Sequence, residues 1–201
     1  MSVAIDAQGI QDLFPEIAEI QDSRLKQGVI DIWLEVAAET AWSDFNEIPK
    51  NLGGEKHRSL VGHIRGVTKM ALAMADIAVD LHGTKCDRDM LLASCLLHDA
   101  SKPLESEPNP GDSSSGGPLL PGRKSEIGEK IQHGVYAAHK ILQMGLPIEL
   151  AHLIITHTHG SNMRANSFEA SLLFYADFAD SDAGILLKGG RTFANRIHFG
   201  E

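Results

Sequence analysis

The stretch LLASCLLHDASKP, residues 91–103, ends an apolar run in three polar side chains, His98, Asp99 and Lys102. Burying an unpaired charge is costly, so these groups either reach solvent or have partners elsewhere in the chain. A helix that simply reaches its polar C-terminal end explains the pattern, because a lysine there complements the helix dipole. The alternative is part of a metal site, since imidazole and carboxylate groups suit divalent iron, manganese, zinc or cobalt.

More imidazole and carboxylate groups fall on the apolar sides of other segments. His63, His157 and Asp177 each follow apolar residues by three or four positions, the spacing of one helix face. His133 opens the segment HGVYAAHKIL, where Gly134 permits close approach of another chain element or a ligand. Each of these residues alone is explained as a satisfied core or capping residue. Five segments that each deliver a histidine or an aspartate to the apolar side together indicate a shared metal site.

The elements that must position these residues are helical. Apolar residues recur at three- and four-residue steps from Leu60 to Leu81 and predict a helix that ends at Gly83. Residues 88–102 are apolar almost all round, which is typical of a central helix, with Asp87 as its N-cap and Pro103 as its end.

Three further helices are predicted on the C-terminal side. They cover about residues 125–144, 147–156 and 166–187, the last opened by a capping box of Asn166 and Glu169. Residues 9–42 predict one or two more helices that pack on the core or on a partner. Because no segment alternates convincingly as a strand, the predicted fold class is all-α, a helical bundle with an N-terminal helical extension.

The predicted organisation has an N-terminal extension over residues 1–55, a domain over 56–188 and a weakly patterned tail over 189–201. Residues 103–123 are rich in Pro, Gly, Ser and Glu and form a flexible insertion within the domain. We expect residues 104–122 to be a mobile flap that docks through Leu119 and Leu120 over the metal site. A disordered surface insertion without a role is the alternative.

Composition limits the function classes. The 201-residue chain carries a net charge of −9, which disfavours a nucleic-acid polymer or an anionic membrane as partner. A small anionic substrate then needs a metal or a local basic cluster to receive it. The two cysteines, Cys86 and Cys95, have no zinc-finger spacing, and neither a signal peptide nor a membrane-length apolar run is recognisable. We therefore expect a soluble cytoplasmic protein.

The ordered motifs resemble a known family. LLHDASK, preceded by His63 and followed by a late Asp177, resembles the central motif of the HD superfamily of metal-dependent phosphohydrolases. The segments QHGVYAA, THTHG and LLFYADFADSD resemble its six-ligand subgroup, and in particular bacterial HD-type hydrolases of symmetrical diadenosine tetraphosphate. The resemblance covers about residues 58–185; the 103–123 insertion and the N-terminal helices depart from it.

The resemblance implies a set of site residues and a chemistry. It implies six metal ligands: His63, His98, Asp99, His133, His157 and Asp177. Two divalent cations, iron or manganese first and zinc, cobalt, nickel or magnesium as alternatives, would share these ligands, with Asp99 bridging them. A metal-activated water would then hydrolyse a phosphate ester or anhydride of a nucleotide or small phosphorylated metabolite. Lys102 would hold a substrate phosphate, and the further candidates for substrate binding are Arg123, His159, Arg164 and Asp180.

Two other functions use the same scaffold. Some six-ligand HD proteins resemble diiron oxygenases that cleave C–C or C–P bonds, and the ligand set alone does not separate the two chemistries. A nucleotide-sensing module with a structural metal is the non-enzymatic alternative, which the complete ligand set disfavours. A homodimer is compatible with all three.

Overall fold

The computed structural model describes residues 4–52, 58–109, 121–158 and 161–195. Over these ranges the regular elements are helices, apart from one small antiparallel ribbon and an isolated bridge, so the predicted all-α class is confirmed. The elements are α1 (Ala7–Leu13), α2 (Ser23–Glu39), α3 (Leu60–His82), α4 (Arg88–Leu97), α5 (Lys102–Glu105), β1 (Ser106–Pro108), β2 (Gly122–Lys124), α6 (Glu126–Lys130), α7 (Val135–Gln143), α8 (Ile148–Thr156) and α9 (Phe168–Leu186).

Helix α4 is the centre of the bundle. Its residues from Leu91 to Leu97 are all buried, and it packs against α2, α3, α8 and α9. The Asp87 side chain accepts a hydrogen bond from the Met90 N–H at 3.0 Å, which confirms the predicted N-cap. The cap of α3 is also as predicted, because Gly83 has a φ of 64° and its N–H bonds the Val79 carbonyl.

Three predicted boundaries were wrong. Helix α4 ends at Leu97 rather than at residue 102, and a turn over residues 98–101 leads into α5, where Pro103 lies in the first turn. Proline is tolerated there because the first N–H groups of a helix have no intrahelical partner. The predicted helix over 125–144 is two helices, α6 and α7, with His133 between them. Helix α9 is capped by Ser167 rather than Asn166.

Gly134 explains the break between α6 and α7. Its φ of 85° lies in the left-handed region, and a Cβ there would lie 3.0 Å from the Ile154 carbonyl oxygen of α8. The close approach of another chain element at this glycine, expected from the sequence, is therefore present. It brings the N-terminus of α7 against α8 and sets His133 beside the end of that helix.

The N-terminal helices belong to the same hydrophobic core as the rest of the bundle. Trp33 on α2 is fully buried and donates a hydrogen bond from Nε1 to the Leu96 carbonyl at 3.1 Å. The Thr40 hydroxyl donates to the Pro103 carbonyl at 2.7 Å, and Trp42 Nε1 donates to the Ser106 carbonyl at 3.1 Å. These contacts support the turn that carries His98 and Asp99 and the ribbon that follows it.

The ribbon of β1 and β2 corrects the expectation that no strand is present. Ser106 pairs with Lys124 and Pro108 pairs with Gly122, so both ends of the predicted flap are fixed side by side. Residues 110–120, with Leu119 and Leu120, lie outside the described residues, and the flap stays a prediction. Among the described helices none is both long enough and apolar enough to span a membrane.

Candidate metal centre

Six side chains from five parts of the bundle meet at one buried place. They form two adjoining groups of possible metal ligands, His63 with His98 and Asp177, and Asp99 with His133 and His157. Within each group the donor atoms lie within 4.8 Å of one another. His98 and His157 follow the last residues of α4 and α8, Asp99 lies in the turn after α4, and His133 precedes α7. All six residues predicted as ligands are therefore brought together.

In each of the four histidines, Nδ1 forms a hydrogen bond to a group outside the six candidate ligands. His98 Nδ1 lies 2.7 Å from the Cys95 carbonyl, and His157 Nδ1 lies 2.6 Å from the Ile154 carbonyl. A carbonyl accepts only, so both rings carry the proton on Nδ1 and keep the lone pair on Nε2. This second hydrogen bond is the usual support of a metal-ligating histidine.

The other two histidines are held by carboxylates. His63 Nδ1 lies 2.5 Å from Asp180 Oδ2, and His133 Nδ1 lies 2.8 Å from Glu105 Oε2. Carboxylate–histidine pairs orient a ligating ring and increase its basicity. The sequence did not identify Glu105, because its link to His133 joins residues 28 positions apart through the fold.

Asp99 lies between the two groups. Its Oδ1 is 2.9 Å from His133 Nε2, and its Oδ2 is 3.3 Å from His63 Nε2. The residue is only 2% exposed. One oxygen therefore faces each group, which is the arrangement a bridging carboxylate needs.

The protonation states of Asp99, His98 and His157 favour cation binding. Burial opposes ionisation of Asp99, but Lys102 and His98 outweigh this and hold the pKa of the carboxyl well below its usual range. Burial, with repulsion from His133 and His98, lowers the pKa of His157 to about 3, and burial also lowers the pKa of His98. Ionised carboxylates and neutral imidazoles are the forms in which these groups bind metals, so these three residues are in the form that binds divalent cations.

Two lysines stand beside the ligands. Lys102 Nζ lies 2.7 Å from Asp99 Oδ2, and Lys50 Nζ lies 3.9 Å from Asp177 Oδ1. Burial, with repulsion from Lys102, lowers the pKa of Lys50. Both lysines line a cleft of about 450 Å³ that also reaches Glu105, Lys124 and His133. Lys50 was not predicted, because the segment IPKN carries no periodic pattern or motif that would mark it.

The remaining predicted substrate-binding residues are distributed differently. Arg123 lies on β2 and forms an ion pair with Glu107 across the ribbon. Arg164 lines a smaller pocket of about 200 Å³ beside His157, with Phe174 and Tyr175. His159 lies outside the described residues. Their roles in substrate binding stay predictions.

Asp180 has contacts that differ from its predicted role as a substrate contact. Its carboxylate accepts from His63 and forms an ion pair with Arg58. A Cβ at Gly66 would lie 2.5 Å from Asp180 Oδ1, so the glycine allows α9 to bring this carboxylate against α3. The geometry therefore supports a role in positioning His63.

Replacing Asp180 by alanine is expected to weaken divalent-metal affinity about 10–100-fold, the usual effect of losing a partner behind a ligating histidine. Titration of the metal-free variant with Mn²⁺ measures this affinity, and Asp80→Ala, which removes an exposed carboxylate of α3, is the matched control. Unchanged metal affinity combined with a raised KM would instead return Asp180 to a substrate-binding role.

Metal binding is expected to release protons at pH 7. Burial disfavours protonation of His133, but its hydrogen bonds to Asp99 and Glu105 prevail and raise its pKa to about 9. Because a ligating imidazole must be neutral, a cation has to displace this proton, and metal affinity should rise with pH until about pH 9. Calorimetry of Mn²⁺ binding in buffers of different ionisation enthalpy gives the number of protons released on binding. We expect about one proton or more per chain at pH 7.

Glu105→Gln provides the control for this pH dependence. The variant removes one of the two carboxylates that keep His133 protonated, so fewer protons should be released at pH 7. Binding to the wild-type protein without proton release would contradict the interpretation.

Comparison with known proteins agrees with this geometry. A family model described as HD domain matches residues 60–181, which include all six candidate ligands. Dihydroneopterin 2',3'-cyclic phosphate phosphodiesterase of Methanocaldococcus jannaschii is 31% identical over 156 residues, 77% of this chain. The match covers 56% of that protein, so the chain spans about half the length of this relative. No solved structure matches the chain significantly.

Proposed function

Because the chain belongs to the HD domain family, we propose that it is a metal-dependent phosphohydrolase acting on a phosphorylated small molecule. The observation that carries the proposal is the largely buried set of four histidines and two aspartates beside a cleft lined by lysines. The similarity to a phosphodiesterase supports a phosphoric ester as the bond cleaved. A cleft of about 450 Å³ has the volume of a small-molecule site.

The side chains divide into ligands, supports and substrate contacts. His63, His98 and Asp177 would hold one cation, and the other three ligands a second, with Asp99 shared between them. When bound, divalent cations supply a water of lowered pKa as the nucleophile and neutralise charge on the phosphate. Asp180 and Glu105 keep the rings of His63 and His133 in place.

Lys102 is the substrate contact nearest the ligands. Its ammonium is placed against Asp99 at the cleft, and its side chain is 24% exposed. It can donate to a phosphate oxygen that reaches the centre from the cleft and stabilise the charge of the transition state. The buried walls around Asp99 limit the access of bulk water and strengthen this interaction.

Iron or manganese is the proposed metal, with two ions per chain, and zinc, cobalt, nickel or magnesium are alternatives. The narrower similarity to diadenosine tetraphosphate hydrolases stays a prediction from the motifs, as do the cytoplasmic location and a homodimer. The oxygenase that would cleave a C–C or C–P bond is not favoured, because the relative is a phosphodiesterase.

Anaerobic purification, metal analysis and a hydrolysis screen test the proposal. The screen should include p-nitrophenyl phosphate, bis(p-nitrophenyl) phosphate, 2',3'-cyclic nucleotides and diadenosine tetraphosphate, with Mn²⁺ or Fe²⁺ added. We expect metal-dependent cleavage of at least one of these substrates, abolished by chelation. Oxygen consumption without release of any phosphate product would favour the oxygenase instead.

A further inference from the structure

Lys50 reaches the candidate centre from outside the family match. The match begins at residue 60, and Lys50 lies in the segment that precedes α3. Its N–H donates to the Arg58 carbonyl at 2.9 Å, and the Leu60 N–H donates to the Ile48 carbonyl at 2.8 Å. These hydrogen bonds, with the bridge between Pro49 and Ser59, fix Lys50 against the first turn of the helix that carries His63.

Among the described residues, the largely buried Lys50 ammonium lies near one hydroxyl and two carboxylates. The side chain is 14% exposed, and Nζ donates to the Ser181 hydroxyl at 2.9 Å. The Asp177 carboxylate lies 3.9 Å from Nζ and also 3.2 Å from His63 Nε2, and the Asp99 carboxylate attracts the ammonium as well. A cation bound by Asp177 would neutralise the negative charge of the carboxylate that faces Lys50. The ammonium has three donors, and an anion bound in the cleft would offset its charge at this depth.

The cleft offers a place for that anion. Lys50 and Lys102 both line it, and Lys102 Nζ also lies 3.4 Å from the Lys50 carbonyl oxygen. Two ammonium groups at one opening, one beside each aspartate ligand, suit the non-bridging oxygens of a phosphate group. Lys124 also lines the cleft, but its side chain is exposed.

We propose that Lys50 is a substrate-binding residue that donates to the phosphate of the substrate alongside Lys102. The segment preceding the HD domain thereby completes the substrate site. This inference rests on the proposed function for the identity of the anion as a phosphate. It makes the N-terminal segment a determinant of substrate affinity as well as part of the core.

Calorimetric titration of inorganic phosphate into the manganese-loaded full chain tests the inference without turnover. Lys50→Gln and Lys50→Met should each weaken phosphate binding about 10–100-fold, the loss expected for one charge-assisted hydrogen bond. Lys50→Arg, which keeps the charge, should recover part of this affinity. Lys69→Gln is the matched control, because Lys69 is exposed on α3 and its partner Glu16 still has an ion pair with Arg65. The phosphate affinity of this variant should stay within about twofold of the wild type.

Three outcomes would overturn the role of Lys50. These are no phosphate binding to the wild-type protein, phosphate affinity of both neutral variants within twofold of the wild type, and loss of manganese from those variants. The last result would show that Lys50 supports Asp177 instead. Failure of the proposed function is a separate result, because phosphate binding that depends on Lys50 in a protein that hydrolyses no phosphate ester would leave the binding role intact.

Discussion

Replacing Asp99 by asparagine should give a folded protein that retains no divalent metal and hydrolyses no phosphate ester. The carboxylate faces both ligand groups, with Oδ1 2.9 Å from His133 Nε2 and Oδ2 3.3 Å from His63 Nε2. An amide of the same shape lacks the negative charge and cannot offer an oxygen to each cation. The loss of metal affinity should therefore exceed the 10–100-fold typical of an outer-shell partner.

Thermal unfolding with and without Mn²⁺ measures this effect independently of activity. A ligand present at 100 times its dissociation constant stabilises the folded state by about 2.7 kcal/mol. For a chain of this length that corresponds to a rise of about 5–11 °C in the unfolding temperature of the wild type. We expect no rise for Asp99→Asn, and a rise equal to that of the wild type would exclude Asp99 as a ligand.

Lys102→Met separates the role of a ligand from that of a substrate contact. The ammonium has no lone pair for a cation, and at 2.7 Å it neutralises the same Asp99 oxygen that a cation would use. Its removal should lower turnover while Mn²⁺ affinity stays equal to or above that of the wild type. Metal loss equal to that of Asp99→Asn, with an intact circular dichroism spectrum, would contradict this division of roles.

Most of the ligand set could be predicted because polar side chains interrupt otherwise apolar helix faces. His63, His98, His157 and Asp177 follow apolar residues at helical spacing, and helices that bury those faces must bring the polar groups toward one another. His133 was predicted from its place at the start of the segment HGVYAAHKIL beside Gly134, and the order of the motifs, which resembles that of the HD family, supported the whole set. The structure brings these side chains together, and the bound metal remains a prediction.

The supporting roles of Asp180, which was expected to contact substrate, and of Glu105 could not be predicted because their partners are distant in sequence. Asp180 meets His63 across 117 positions, and Glu105 meets His133 across 28. Neither carboxylate differs in its local pattern from an ordinary solvated charge. Their roles follow from how α9 packs on α3 and where the turn after α4 leads, which are properties of the tertiary fold.

The wrong boundaries have local physical causes. The apolar run of α4 predicted a helix through residue 102, but the chain turns at residues 98–101 to place His98 and Asp99 at the centre. Pro103 predicted the end of α4, but proline is also favoured in the first turn of a helix, and it lies in the first turn of α5. Strands of three residues, such as β1 and β2, are too short for an alternating pattern to be recognised.

Trp33→Ala should lower the free energy of unfolding by about 3–5 kcal/mol, the usual cost of truncating a large buried aromatic side chain. Trp33 is fully buried, with its ring 4.8 Å from that of Phe14 and 5.3 Å from that of Phe45. The substitution also removes the hydrogen-bond donor to the Leu96 carbonyl, two residues before His98. Urea denaturation followed by circular dichroism gives the change in stability, with Leu81→Ala, 68% exposed in the wild type, as the control.

The same measurement tests whether residues 1–55 are a separable extension. Since α2 packs directly on α4 and shares its core, the wild type should unfold in one transition, and Mn²⁺ binding should be lost in the same transition. If the extension were separable, Trp33→Ala would unfold in two transitions, the N-terminal helices first and the rest of the chain at the urea midpoint of the wild type. Mn²⁺ binding would then be lost only in the second transition. One shared transition would mean that the N-terminal helices stabilise the turn that presents His98 and Asp99, which the buried contacts of Trp33, Thr40 and Trp42 lead us to expect.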